Sequence, residues 1–168
     1  ESLKTRDIQG AIRAQSTHYW VWGWDSMTSN QCCFYWGDQD FMGDMLECME
    51  RYSDGTGIAH AFGRDMSNLD VAAPPAQGMY LCIMDLYRLS GGDISKHYHF
   101  AKALFDMILN TEAADTGLCR GTSLYPDARN LIHETGNDIS AFNNTVCYCS
   151  ARSMEKIAIS MGDFQTAE

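Results

Sequence analysis

The sequence lacks the features that mark membrane proteins and nucleic-acid-binding proteins. Its longest apolar run, residues 76–84, contains Gln77 and leads into Asp85, far short of the roughly 20 residues of a membrane-spanning helix. Basic residues are scarce, because 12 Lys and Arg stand against 22 Asp and Glu, for a net charge of −10. Nucleic acids and anionic membranes bind a basic face, so the composition argues against both as partners.

Several catalytic and metal-binding motifs are also missing. There is no C-x-x-C, no G-x-S-x-G and no glycine-rich phosphate loop, so we predict no metal and no cofactor. His97 and His99 are spaced i, i+2, so their rings diverge on a helix and we expect solvated or capping side chains. The 7 cysteines are odd in number and lie mostly in apolar stretches of the sequence. This pattern predicts reduced cysteines in the core. That pattern indicates a reducing compartment such as the cytoplasm.

What the sequence does contain is apolar residues at helical spacing. No strand-like alternation of useful length and no fixed repeat period occurs. The pattern predicts an all-α chain, a single domain or domain fragment over residues 1–168, with tight turns and long loops in alternation. The predicted helices cover residues 26–36, 38–52, 74–90, 93–109 and 138–161. A further helix starting at Asp163 would be marginal alone, so we expect more helices beyond Glu168.

A dense tryptophan cluster precedes the first helix. Three of the 4 tryptophans lie within residues 20–24, and Asp25 follows them directly. An indole ring covers the apolar face of a sugar and can donate a hydrogen bond, and a carboxylate accepts hydrogen bonds from hydroxyl groups. We therefore predict that Trp22, Trp24 and Asp25 form one wall of a carbohydrate pocket. The alternative is an aromatic core cluster with Asp25 as a helix N-cap.

The order of the motifs resembles that of the (α/α)6-barrel glycoside hydrolases related to trehalases, processing α-glucosidase and mannosylglycerate hydrolase. The matching pieces are residues 22–26 (WGWDS), 73–77 (APPAQ) and 158–163 (AISMGD). The resemblance implies an incomplete toroid of helical hairpins, about half a barrel, that forms the N-terminal part of the catalytic domain. It implies an oligosaccharide or glycoside as substrate, and the remainder of the barrel, C-terminal to Glu168, as partner.

The resemblance also implies roles for individual residues around the sugar. Trp22 and Asp25 would hold the sugar at the cleavage subsite, and Trp24 would pack behind or beside it. Gln77 would reach the same sugar from the start of its helix, where proline fixes the backbone. His60, on the long loop after Gly57, is a further pocket candidate by its position, with a packing role in that loop as the alternative.

Inverting members of the family use two carboxyl groups about 6.5–9.5 Å apart, one as general acid and one as the base that activates water. The matching acid loop is residues 124–138, where Asp127 and Glu134 are the candidates and Asp138 is expected to cap the next helix. The Gly-Trp-Asp motif that usually surrounds the general acid in this family is absent here. No residue can be identified as the partner base. We predict that the chain alone is catalytically silent. A non-catalytic helical-repeat or carbohydrate-binding module, or an inactive family member, is the alternative function.

Overall fold

Helices dominate the described chain, as the spacing of apolar residues predicts. A computed structural model describes residues 8–13, 20–53, 55, 57–63, 74–113, 116–121 and 139–168. Its helices are α1 (Gly23–Trp36), α2 (Gln39–Arg51), α3 (Pro74–Leu89), α4 (Tyr98–Leu109), α5 (Ala141–Met161) and the short α6 (Phe164–Ala167). Two antiparallel pairs of two-residue strands join them, β1 (Val21–Trp22) with β2 (Ala61–Phe62) and β3 (Glu112–Ala113) with β4 (Leu118–Cys119). The all-α class is confirmed.

Three hairpins share one type of turn. Gly37, Gly91 and Gly162 end α1, α3 and α5 in the left-handed conformation, with φ of 72°, 92° and 75°. Glycine adopts this conformation without the steric cost of a Cβ, so it ends helices readily. An aspartate then accepts a backbone N–H just downstream in each hairpin, the pairs being Asp38 with Phe41, Asp93 with Ser95 and Asp163 with Thr166. Each helix pair therefore folds back on itself as an αα-hairpin.

α4 and α5 begin later than the sequence predicts. Asp93 does accept a hydrogen bond at its turn, but a 3-10 turn at Ser95–His97 intervenes and α4 begins only at Tyr98. The N-cap of α5 is Ser140, whose hydroxyl accepts from the Asn143 N–H at 3.0 Å, and not Asp138, which lies outside the described residues. Serine and aspartate cap equally well, so residue type alone could not choose between them.

The helices form two layers with α3 at the centre. α3 packs against α1, α2 and α4, and most extensively against α5. The first turns of α1, α3 and α5 lie at one end of the molecule, because the segment 58–61 and Gly121 contact them there. These three helices therefore run in the same direction, and α2 and α4 run back behind them. No helix in the described ranges is long and apolar enough to cross a membrane.

The hydrophobic core lies between the layers and is rich in methionine. α2 supplies apolar residues at three-to-four spacing, and α3 supplies a facing set. The largest fully buried side chains of these two helices are Met42, Met45, Leu46, Met49, Tyr80, Leu81, Ile83 and Met84. Each such side chain stabilises the fold by about 1.5–3 kcal/mol relative to exposure. Methionine's flexible, unbranched side chain suits the irregular gaps between crossing helices.

A polar cluster of Glu50, Tyr80 and His97 lies at the edge of this core, with Tyr80 and His97 fully buried and the Glu50 side chain 28% exposed. The Tyr80 hydroxyl donates to Glu50 Oε1 at 2.5 Å, and His97 Nδ1 lies 2.5 Å from the same oxygen. Burial, reinforced by the Glu50 carboxylate, raises the pKa of Tyr80 well above its ordinary value. His97 is fully buried, so the prediction of a solvated or capping side chain is wrong. The prediction failed because a carboxylate on α2, distant in sequence, supplies the imidazole with a partner.

Asp163 joins α4 to the last hairpin. Its carboxylate accepts hydrogen bonds from Lys102 Nζ at 2.7 Å, the Tyr98 hydroxyl at 2.9 Å and the Thr166 hydroxyl at 2.9 Å. These contacts, the one with Lys102 first, hold the pKa of the Asp163 carboxyl well below its usual range. The charged form of Asp163 therefore stabilises the folded state.

The replacement Asp163→Asn is expected to lower the stability at neutral pH and to make no difference in strong acid. Because the folded-state pKa is depressed, the stabilisation is fully present above the ordinary aspartate pKa of about 3.9 and disappears as the pH falls through the folded value. Urea denaturation of both proteins over a pH series measures this. A stability difference that persists or grows in acid would contradict the assignment.

Candidate functional site

The tryptophan cluster is fixed by a backbone pairing just before α1. β1 and β2 pair so that Val21 lies opposite Phe62 and Trp22 opposite Ala61. The Gly23 N–H donates to the His60 carbonyl at 3.1 Å, which continues the contact into the first turn of the helix. The segment around His60, predicted as a functional loop, is therefore the support of the cluster.

Gly23, between Trp22 and Trp24, lies where the backbone of α1 closely approaches the backbone of the 58–61 segment. A Cβ on Gly23 would lie 2.4 Å from the Ala59 carbonyl oxygen and 2.9 Å from Ile58 Cγ2. Both distances are far below an ordinary van der Waals contact, so no side chain fits there. The glycine lets α1 start directly against the 58–61 segment.

Trp22 and His60 face one another at this end of the molecule. Their ring centroids are 5.1 Å apart and the ring planes are nearly perpendicular, at 85°. Both residues are partly buried, and edge-to-face geometry of this kind is favourable for aromatic rings. The structure thus brings together two residues that the sequence predicted separately for the pocket.

Trp24 reaches across to the first turn of α5. Its ring centroid lies 5.8 Å from that of Phe142, with the planes at 69°. Phe142 is 39% exposed, and Trp24 is partly buried against the core. Sequence reasoning missed Phe142 because it counted this residue among the apolar positions of a helix. Its place directly after the 124–138 loop was the available signal.

Asp25 lies exposed in the first turn of α1. The N-cap of that helix is Trp22, and it makes no side-chain cap, so the alternative that Asp25 is the N-cap is wrong. The helix begins at Gly23, three residues before the predicted start at Ser26, which moves Asp25 inside the first turn. There its negative charge is favoured by the helix dipole. The Asp25 carboxylate forms no hydrogen bond with any residue of the described ranges.

Gln77 is buried, with 1% of its surface exposed, in the first turn of α3. Its Oε1 accepts from the Ile58 N–H at 2.7 Å, and its Nε2 donates to the Ile58 carbonyl at 3.4 Å. The amide therefore holds the backbone that in turn supports the tryptophan cluster. Direct contact of Gln77 with a sugar stays a prediction.

The two candidate acids, Asp127 and Glu134, lie outside the described residues. The residues that flank their loop are described, and they sit at the end that carries Trp24 and Phe142. A Cβ on Gly121 would lie 2.7 Å from Pro74 at the start of α3. On the other side, the loop leads into the Ser140 cap and the first turn of α5. Asn143 Nδ2 also donates to the Gly121 carbonyl at 3.4 Å, so both attachment points of the acid loop lie at the first turn of α5, where Phe142 contacts Trp24.

The cysteines and acidic residues form no metal site in the part of the chain that the structure describes. All seven cysteines are free thiols: Cys33, Cys48 and Cys147 are buried, Cys82 and Cys119 are partly buried, and Cys32 and Cys149 are exposed. Burial raises the pKa of Cys48 to about 12. A thiol so protonated at neutral pH is a poor nucleophile, as expected of a core cysteine.

Comparison with known proteins identifies no relative: no family model, no curated protein and no solved structure matches the chain. The likeness to the toroidal glycoside hydrolases rests on the short motifs quoted above.

Proposed function

We propose that this chain is the N-terminal part of the catalytic barrel of an inverting glycoside hydrolase that acts on a neutral sugar substrate. The observation that supports this best is the convergence of the first turns of α1, α3 and α5. Trp24 contacts Phe142 in the first turn of α5, just after the loop that contains Asp127 and Glu134, and Gly121, just before that loop, lies against Pro74 at the start of α3. In this proposal the sugar platform lies at the end of the molecule where the described residues on both sides of the acid loop are found.

Each residue has a chemical role in this proposal. The exposed part of Trp22, braced by His60, covers the apolar face of a sugar ring, and Asp25 accepts hydrogen bonds from the sugar hydroxyls. Asp127 or Glu134 protonates the glycosidic oxygen, which requires a pKa raised by burial against apolar groups. The base that activates water comes from outside residues 1–168.

The packing of the helices supports the toroidal part of the proposal. α1, α3 and α5 lie side by side in one layer, and both outer members leave an apolar face uncovered. On α1 the face includes Cys32, Tyr35 and Trp36, and on α5 it includes Tyr148 and Ile159. Tyr148 is 68% exposed and Trp36 is 77% exposed. Because exposed apolar patches of this kind mark interfaces, we propose that further hairpins, in the remainder of the barrel, cover both faces.

Sugar binding is tested by titrating the chain with neutral glycosides and following ligand signals by saturation-transfer NMR. Trp22→Ala is expected to weaken binding about fivefold, since loss of an aromatic platform costs on the order of 1 kcal/mol. The matched control is Trp36→Ala, which removes an exposed tryptophan from the opposite end of α1 and is expected to leave binding unchanged. Equal effects of the two replacements would contradict the location of the site.

A binding module and a catalytic barrel are distinguished by a cationic sugar mimic. A hydrolase site with a carboxylate beside the reacting carbon binds an iminosugar, which mimics the charge of the transition state, more tightly than a neutral sugar. We expect this preference and its loss in either Asp127→Asn or Glu134→Gln. An equal affinity for both ligands favours the non-catalytic module. Hydrolysis by the wild-type chain would show that acid and base both lie within it.

A further inference from the structure

Cys119 and Cys147 flank the acid loop in sequence and are neighbours in the structure. Asn144, one turn before Cys147 on α5, holds the backbone of Cys119 with two hydrogen bonds. The Cys119 N–H donates to Asn144 Oδ1 at 2.7 Å, and Asn144 Nδ2 donates to the Cys119 carbonyl at 3.0 Å. This clamp sets β4 against the face of α5 that carries Cys147, one turn after Asn144, and Cys119 Sγ donates to the Ile108 carbonyl at 3.8 Å.

We propose that Cys119 and Cys147 form a modification site, at which exchange with a low-molecular-weight disulfide joins them covalently and closes the chain around residues 120–146. The thiolate of Cys119 attacks a disulfide such as oxidised glutathione, which forms a mixed disulfide and releases one glutathione thiolate. The thiolate of Cys147 then attacks the Cys119 sulfur and releases the second glutathione. Two protein thiols are oxidised, and one glutathione disulfide is reduced to two thiols.

The surroundings of the two sulfurs assign the order of the steps. Cys119 is partly exposed, so an external disulfide can reach it, whereas Cys147 is 6% exposed. Burial first, and then the neighbouring Cys119, raise the pKa of Cys147 to about 12. The thiolate is the nucleophile, so a thiol with a raised pKa attacks slowly at neutral pH. Cys147 therefore reacts second, as the resolving cysteine. The rate of that step rises about tenfold per pH unit below the pKa.

The disulfide would fix both ends of the segment that carries Asp127 and Glu134. It would tie β4, just before the loop, to α5, just after it. The proposal itself does not depend on the proposed function, because the covalent bond is detected without a substrate.

The test uses the folded chain, incubated with oxidised glutathione, quenched in acid and digested with trypsin. Cleavage after Lys102, Arg120, Arg129 and Arg152 leaves Cys119 in residues 103–120 and Cys147 in residues 130–152. Mass spectrometry is expected to show these two peptides linked, with both hydrogens of the thiols lost. Closure from the mixed disulfide is expected to accelerate about tenfold for each added pH unit.

Cysteine-to-serine variants identify the two sulfur atoms that form the disulfide. Residues 130–152 also contain Cys149, so the link must persist in Cys149→Ser. It must disappear in Cys147→Ser, with glutathione retained on Cys119, and in Cys119→Ser, which replaces a partly exposed residue at the edge of the core. A link through Cys149, or a glutathione adduct on Cys119 that never resolves in the wild type, would overturn the proposal.

Discussion

Gly23→Ala is expected to lower the free energy of unfolding by about 3 kcal/mol, at the upper end of the usual cost of overpacking. The new methyl group would lie 2.4 Å from a backbone oxygen, that of Ala59, which cannot move aside as a flexible side chain can. Relief requires β1 and β2 to separate, which stretches the hydrogen bond from the Gly23 N–H to the His60 carbonyl. Trp22 then loses its contact with the His60 ring.

Urea denaturation and tryptophan fluorescence measure both parts of this result. The matched control is Gly43→Ala in α2, where the nearest atom to the added Cβ is the Tyr87 hydroxyl at 3.0 Å, at the far end of a side chain. Alanine also favours a helix interior by about 1 kcal/mol over glycine, so the control is expected to change stability little. If the two replacements cost the same, the close approach at Gly23 is not what sets the cost.

Glu50→Ala is the second large effect, with an expected loss of about 2–5 kcal/mol, because it leaves two buried donors without an acceptor. A carboxylate only accepts hydrogen bonds, so the Tyr80 hydroxyl and the N–H at His97 Nδ1 both donate to it. Tyr80 and His97 are fully buried, so the Glu50 carboxylate, whose side chain is 28% exposed, is the acceptor that both lose.

The control for Glu50 lies one turn earlier on the same helix. Glu47 pairs with Lys96 on the surface, so Glu47→Ala is expected to cost at most about 1 kcal/mol. A double-mutant cycle of Glu50→Ala with Tyr80→Phe, followed by urea denaturation, measures the coupling of the buried pair. Zero coupling, or a loss at Glu50 no greater than that at Glu47, would refute the role assigned to the buried cluster.

The helices and hairpin turns could be predicted because their signals are local. A glycine that ends a helix and an aspartate that begins the next are recognisable within a few residues, as at Gly37-Asp38 and Gly162-Asp163. The spacing of apolar residues predicted α2 and α3 for the same reason, because it depends only on one face of a single helix.

Contacts between distant segments were not predictable from such signals. The partner of His97 is 47 residues away on α2, and Phe142 meets Trp24 only because α1 and α5 begin at the same end of the molecule. Gln77 was correctly placed at a helix start, but its pairing with Ile58 depends on the return path of a loop. The hydrophobic pattern and the helix propensity of a segment do not specify which distant segments it contacts, because the packing of whole helices decides this.

The recurring Gly-Asp turns divide the molecule into ends with different tolerance for change. All three tight turns lie at the end where α1, α3 and α5 finish, and their geometry depends on glycine backbones. The described residues of the long connections, such as 58–61 and Gly121, lie at the other end, where α1 and α3 begin. Insertions or exchanges in those connections leave the hairpins intact, because loop length costs little free energy. The scaffold is thus suited to evolve new specificities by replacing loops at one end, while the other end preserves the fold.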